Sequence, residues 1–171
     1  MSLEHDIQQR TFRNEYQKAI INILYTQNYL VDQMTEVFKQ FEITRQQYNV
    51  LRILRGQHPK HASINLIKER MLEKMSDSSR IVERLRIKGL IQRADGKNDK
   101  RSVEITITGE GLDLLNKMKD PIEELENFLN HLSIDEAREL NNLLDKIRPR
   151  HLPKSEKESY ALELMNQPEK F

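Results

Sequence analysis

Apolar residues recur every three or four positions over most of the chain and every second position over one short stretch. From about residue 6 to residue 41 the sequence carries Ile7, Phe12, Tyr16, Ile20, Ile23, Leu24, Leu30, Val31, Met34, Val37, Phe38 and Phe41, with no Pro or Gly between them. This predicts one long amphipathic helix. About 30 helical residues span about 45 Å, more than a small domain needs, so part of this helix is expected to pack on another chain. Thr44 with Gln47 three residues on is a capping-box pattern. It opens a second helix with Tyr48, Leu51, Ile53 and Leu54, ending at Gly56 ahead of Pro59. A third helix starts at Ser63 and carries Ile64, Leu66, Ile67, Met71 and Leu72. A fourth starts near Ser76, where Asp77 suits the positive helix N-terminus. Its apolar positions are Ile81, Val82, Leu85 and Ile87, and it ends at Gly89.

The period then changes. Residues 90–93 read as a short strand, and residues 94–101 contain the turn formers Asp-Gly and Asn-Asp. Val103, Ile105 and Ile107 alternate with Glu104, Thr106 and Thr108, a strict period of two. The pattern predicts a β-hairpin with a basic tip. Helix resumes at Thr108 or Gly109 with Leu112, Leu114, Leu115 and Met118; Pro121 either opens a new turn or kinks the helix. Ser133 with Glu136 is a second capping box, opening a helix with Ala137, Leu140, Leu143, Leu144 and Ile147 that stops at Pro149 and Pro153. The tail from Lys154 is polar, and Ser155 to Glu158 can cap a short helix reaching Met165.

The expected fold is therefore mainly α with a small β-hairpin wing: a winged helix-turn-helix flanked by long N- and C-terminal helices. The expected division is a long N-terminal helix over 1–41, a winged helix-turn-helix over 42–108, C-terminal helices over 109–148, and a polar tail over 149–171. Composition agrees with this picture. Five Gly and five Pro in 171 residues leave few breaks for helices. With 32% charged and 37% hydrophobic residues, the chain is lean for a compact monomer. Long exposed helices, or a core completed by a second chain, account for that balance. The absence of cysteine excludes disulfides, thiol catalysis and thiol-based redox sensing. No stretch approaches 18 apolar residues, so no membrane span is expected. The first ten residues lack an apolar signal core, which points to a cytoplasmic protein.

Net charge is +1, but it is unevenly spread. Residues 68–101 hold eleven Lys/Arg against six Asp/Glu, while the rest hold 17 against 21. A local basic patch is the footprint of a polyanion binder, although a solvated helical face has the same composition. The second helix of a helix-turn-helix presents side chains to base edges in the major groove. Its start here offers Lys74, Ser76, Ser78 and Ser79. Among the serines, one is expected to cap and at least one to touch DNA. Arg80 and Arg84 are four apart and share a face opposite the side set by Ile81 and Leu85. They suit phosphates or guanine edges. The hairpin adds Arg93, Lys97, Lys100 and Arg101, and a basic ribbon beside a recognition helix reaches a neighbouring minor groove. Asp99 fits a wing-structuring role, pinning a nearby Arg.

The stretch Ser76-Asp77-Ser78-Ser79-Arg80-Ile81-Val82-Glu83-Arg84-Leu85-Arg86-Ile87-Lys88-Gly89-Leu90-Ile91-Gln92-Arg93 resembles the MarR-like (multiple antibiotic resistance regulator) transcription factors. So do Asp99-Lys100-Arg101-Ser102-Val103-Glu104-Ile105-Thr106-Ile107-Thr108 and the following Gly109-Glu110-Gly111. Ile107-Thr108 stands where the family has Leu-Thr, and the resemblance covers roughly residues 12–147. It implies a homodimer clasped by terminal helices and a pseudo-palindromic double-stranded DNA operator, usually bound by a repressor. In many members a small aromatic or phenolic effector releases the DNA; which residues here would bind one is unknown.

Other chemistry is sparse. His58 and His61 lie three apart across a Pro, and His5, His131 and His151 are scattered, so neither a metal site nor a cofactor is expected. The run Glu123, Glu124, Glu126 suits a wet helix face rather than acid–base work. Tyr16, Tyr25, Tyr29 and Tyr48 suit core or dimer packing, or the lining of an effector pocket. No nucleophile–base pair or phosphate-binding Gly loop suggests an enzyme. The alternative is a winged-helix protein-interaction module without specific DNA binding.

Overall fold

The computed structural model describes residues 2–73, 77–95 and 103–148. One compact unit reaches Glu126 and a second begins at Asn127.

The expected single N-terminal helix is two helices. A short α1 (Leu3–Asp6) is followed by α2 (Glu15–Gln40). Neither Pro nor Gly makes the break. Gln8 takes a positive φ, and Asn14 caps α2 by accepting from the Gln17 N–H, while the Gln17 side chain accepts from the Arg13 N–H at 2.7 Å. The 26 residues of α2 span about 39 Å. Its C-terminal end enters the core through Phe38, whereas Tyr16, Ile20, Leu24 and Tyr25 near its start stand exposed. The helix closes on a pair of Schellman bonds, Ile43 N–H to Phe38 O at 3.2 Å and Glu42 N–H to Lys39 O at 3.0 Å. The residue that turns the corner is Glu42, left-handed at φ +54° where glycine is the unstrained choice.

The Thr44–Gln47 capping box forms and opens α3 (Arg45–Gln57). Ser63 accepts from the Leu66 N–H and caps α4 (Ile64–Arg70), which ends before Leu72, leaving that side chain exposed. The cap of α5 (Ser78–Ile87) is Asp77, accepting from the Arg80 N–H at 3.1 Å. A carboxylate there satisfies an orphan donor and meets the positive end of the helix dipole at once.

A second Schellman motif ends α5: Gly89 N–H bonds Arg86 O at 2.9 Å and Leu90 N–H bonds Leu85 O at 3.1 Å. Gly89 has φ +73°, a conformation glycine alone adopts without penalty. Three residues, Lys88, Gly89 and Leu90, therefore separate α5 from strand β1 (Ile91–Asp95), and Gly89 makes the turn. β1 pairs antiparallel with β2 (Val103–Ile107) in the register Ile91↔Ile107, Arg93↔Ile105 and Asp95↔Val103. Ala94 and Asp95, expected in the turn, extend the strand because they have partners in Glu104 and Val103. Ala62, between α3 and α4, bridges Ile105 through two backbone bonds of 2.9 Å and ties the hairpin back to the helices.

Thr108 caps α6 (Gly109–Lys117). Pro121 falls in the first turn of α7 (Lys119–Glu124), where its missing N–H costs nothing. A 3₁₀ turn follows over Leu125–Leu129. In the second unit the Ser133–Glu136 capping box opens α8 (Ile134–Ile147), along which Leu140, Leu143 and Ile147 form an exposed stripe. The tail, including the short helix expected towards Met165, lies outside the described residues.

One core cluster joins Phe38, Val50, Leu51, Leu54, Ile67, Val82, Leu85, Ile91, Ile105, Leu115 and Met118. The end of α2 and one face of α6 thus share the core of the helix-turn-helix. No helix among the described residues is long and apolar enough to cross a membrane.

Candidate DNA interface

Helix α5 buries one face, made by Ser78, Val82 and Leu85. With successive side chains about 100° apart around the axis, the opposite pole carries Arg80, Arg84 and Ile87. All three are exposed, Ile87 to 71%. The core side, expected to be set by Ile81 and Leu85, is set by Val82 with Leu85; Ile81 is partly buried and Ile87 stands outward on the arginine face. Neither Arg80 nor Arg84 has a carboxylate partner among the described residues. Ser79 is exposed at the helix start.

Ser78 corrects one expectation. Its side chain is buried, and its hydroxyl donates to Met71 Sδ at 3.5 Å. A hydroxyl spent inside the core offers nothing to DNA. Lys74, Ser76, Lys97, Asp99, Lys100 and Arg101 lie outside the described residues.

Arg86 differs from its neighbours. Its Nε and Nη2 donate to the two carboxylate oxygens of Glu83 at 3.0 and 2.8 Å. This fork holds the Glu83 carboxyl below the usual carboxylate range, and the positive charge of Arg93 adds to the effect. The same contact raises the Arg86 pKa. Arg93 shares the hairpin face of Ile91 but is exposed, so its charge lies close enough to α5 for Glu83 to feel it. Lys88 Nζ, just past the helix, donates to Glu42 O at 2.7 Å. An open groove of about 690 Å³ runs between this end of α5 and the hairpin, lined by Arg86, Lys88, Gln92, Arg93 and Thr106 among others.

The N-terminal side of α5 is held by a contact that no local pattern announces. Glu73, in the turn between α4 and α5, receives Arg45 Nη2 on one oxygen and Gln46 Nε2 at 2.9 Å on the other. At the other end, Thr108 Oγ1 donates to Gly89 O at 2.8 Å and accepts from the Gly111 N–H at 3.1 Å, joining the hairpin base to α6. Among the described residues no group of three or more His, Cys, Asp or Glu is placed to hold a metal ion.

A recognition helix with outward arginines, flanked by an antiparallel hairpin on a helical core, defines a winged helix-turn-helix regulator. No family model matches the chain. A solved MarR transcription factor from Planctomyces limnophilus is 34% identical, aligns over 79% of this chain and 98% of its own, and superposes with a TM-score of 0.62. The transcriptional repressor IacR of Pseudomonas putida is 28% identical over 148 residues, 84% of each chain. A mutant MarR from E. coli, solved with operator DNA, has the same fold at a TM-score of 0.71, with 24% identity over 82% of this chain and 100% of its own. The chain belongs to the MarR family of transcription regulators. Its relatives are regulators and not enzymes.

Proposed function

We propose that the chain is a homodimeric, cytoplasmic repressor that binds a pseudo-palindromic duplex operator through α5 and the hairpin and is released by a small aromatic or phenolic effector. The observation that carries the DNA half is the pole of α5 bearing Arg80 and Arg84, exposed and without a carboxylate partner among the described residues, opposite a face locked into the core. Guanidinium groups so placed suit guanine edges and phosphates. The proposed DNA-contacting set is Ser79, Arg80, Arg84 and Arg93, together with Lys74, Ser76, Lys97, Lys100 and Arg101; Ser78 leaves it.

The dimer half rests on two stripes. Tyr16, Ile20 and Leu24 repeat every four residues along α2, and Leu140, Leu143 and Ile147 repeat along α8, all exposed. Apolar rows of this size on helices are what a second copy would cover. We assign dimerisation to residues 1–41 and 109–148 and DNA binding to 42–108. The effector half rests on family membership alone.

The test is selection of duplexes from a random pool, followed by anisotropy titration across salt concentrations. The native chain is expected to enrich an inverted repeat. Arg84→Ala should weaken binding to it by about tenfold and flatten its salt dependence by about one phosphate contact per protomer. Failure of the native chain to enrich any sequence, with only feeble binding to arbitrary DNA at low salt, would favour a protein-interaction module instead.

A further inference from the structure

The corner between α2 and α3 grips α5 at both ends. Before α5, Glu73 is held by Arg45 and Gln46, the first two residues of α3. After α5, Lys88 donates to the carbonyl of Glu42, the residue that turns the corner in a left-handed conformation. Ile43 between these contacts is buried in the core cluster, so the corner cannot shift without disturbing the core. The chain is thus stapled to five consecutive residues, 42–46, from two points that bracket the ten-residue recognition helix.

Arg45 and Glu73 keep 30% and 35% of their side-chain surface exposed. What they supply is direction: Glu73 takes one donor on each oxygen, which fixes Glu73 itself against the first turn of α3, four residues before Asp77 caps α5. Such a two-donor carboxylate specifies geometry beyond its energy.

We propose that Arg45, Gln46 and Glu73 are positioning residues, with Lys88 and the Glu42 carbonyl as their counterpart. They set the placement of α5 on α3, so specificity for the operator depends on side chains that touch no base or phosphate. The corner directly follows α2, so it is also the point at which a displacement of that long helix reaches α5. The proposal rests on the reading that α5 reads duplex DNA.

The experiment uses the full chain, a duplex selected by the native protein from a random pool, and a scrambled duplex of equal length. Glu73→Gln and Arg45→Glu are each expected to lower the ratio of specific to scrambled affinity by about fivefold, a modest effect suited to a pair that keeps about a third of its surface exposed. The salt slope should stay at the native value, because no phosphate contact is lost. The exchanged pair, Arg45→Glu with Glu73→Arg, should recover at least half of the lost ratio. Thermal midpoints separate mispositioning from unfolding: a variant that melts early and loses both affinities alike counts against the proposal. So does an unchanged ratio in both single variants, or an exchanged pair no better than either single. If the native protein selects no duplex at all, it is the DNA-binding reading that fails.

Discussion

Gly111 offers a test of how the hairpin is joined to α6, because two general rules give opposite signs for Gly111→Ala. Helix propensity favours alanine over an interior glycine by about 1 kcal/mol. The local geometry opposes it. A Cβ built on Gly111 would stand 2.3 Å from the carbonyl oxygen of Leu90 and 2.7 Å from Ile107 Cγ1. The first is a backbone atom that cannot rotate away, and it already accepts from the Thr108 N–H at 3.1 Å. The second belongs to a core side chain that is only 6% exposed. Overpacking of this kind costs about 1–3 kcal/mol, and a clash with backbone lies at the upper end. Propensity is worth less in the first turn of a helix, where Gly111 sits. The balance is a loss of about 2 kcal/mol, or roughly 4–8 °C in melting temperature for a chain of this size.

Gly109→Ala supplies the control. It lies in the same first turn, with nothing within 4 Å of its would-be Cβ and no positive φ. That change should be neutral or slightly stabilising. Urea denaturation followed by circular dichroism, with both variants at the same protomer concentration to hold any dimer linkage constant, reads the difference. A Gly111→Ala protein as stable as Gly109→Ala would show that the junction of Leu90, Ile107 and α6 is looser than the structure has it.

Two further outcomes are expected. Ile20→Asp places a charge in the middle of the α2 stripe at a side chain 60% exposed in the single chain; sedimentation should show monomer where the native chain is dimeric, with the helical signal of the fold retained. An unchanged dimer would remove that stripe from the interface. The second concerns Glu4, which joins α1 to α2 through Lys18 at 2.5 Å. The Lys18 hydrogen bond, helped by backbone and Ser2 donors, lowers its pKa from 4.5 to about 2. A depressed folded-state pKa means the contact is fully stabilising above pH 4.5 and is lost as pH falls towards 2. Titration of the Glu4 carboxyl by NMR should give a midpoint well below 4.5 that rises towards the ordinary value in Lys18→Met, where the backbone and Ser2 donors remain, and an ordinary midpoint in the native chain would sink the assignment.

What the sequence made legible follows the range of the interactions involved. The capping boxes at Thr44 and Ser133 and the cap at Ser63 act over three residues, and each is found where the pattern puts it. The alternation over 103–107 reports a single buried face and is equally direct. The break before α2 was hidden because Ile7 and Phe12 happen to continue the apolar spacing; the signal that marks it is Asn14 with Gln17, which is weaker than Pro or Gly. The core side of α5, read from Ile81 and Leu85, shifts to Val82 and Leu85 for a related reason. Periodicity locates apolar residues on a helix, but the face that meets the core is set by α3 and the hairpin, and Val82 with Leu85 meets it. Ser78 turns on Met71 seven residues away, and Glu73 on Arg45 at a separation of 28. No local pattern encodes contacts of that range.

The basic balance of residues 68–101 also needs reading through the structure. A cation adds to the affinity for a polyanion when its charge is uncompensated in the free protein, since the gain comes from releasing counterions condensed on the phosphates. Arg86 arrives already forked to Glu83, and Lys88 is committed to the Glu42 carbonyl. To meet a phosphate either would first give up a contact of comparable strength. Among the described residues Arg80 and Arg84 have no ion-pair partner to give up. The two groups differ in chemistry very little and in count not at all, so composition assigns them equal weight. The structure separates them: Glu83 stands three residues from both Arg80 and Arg86, but its carboxylate is taken by Arg86, and among the described residues no ion pair engages Arg80 or Arg84 on the exposed pole of α5.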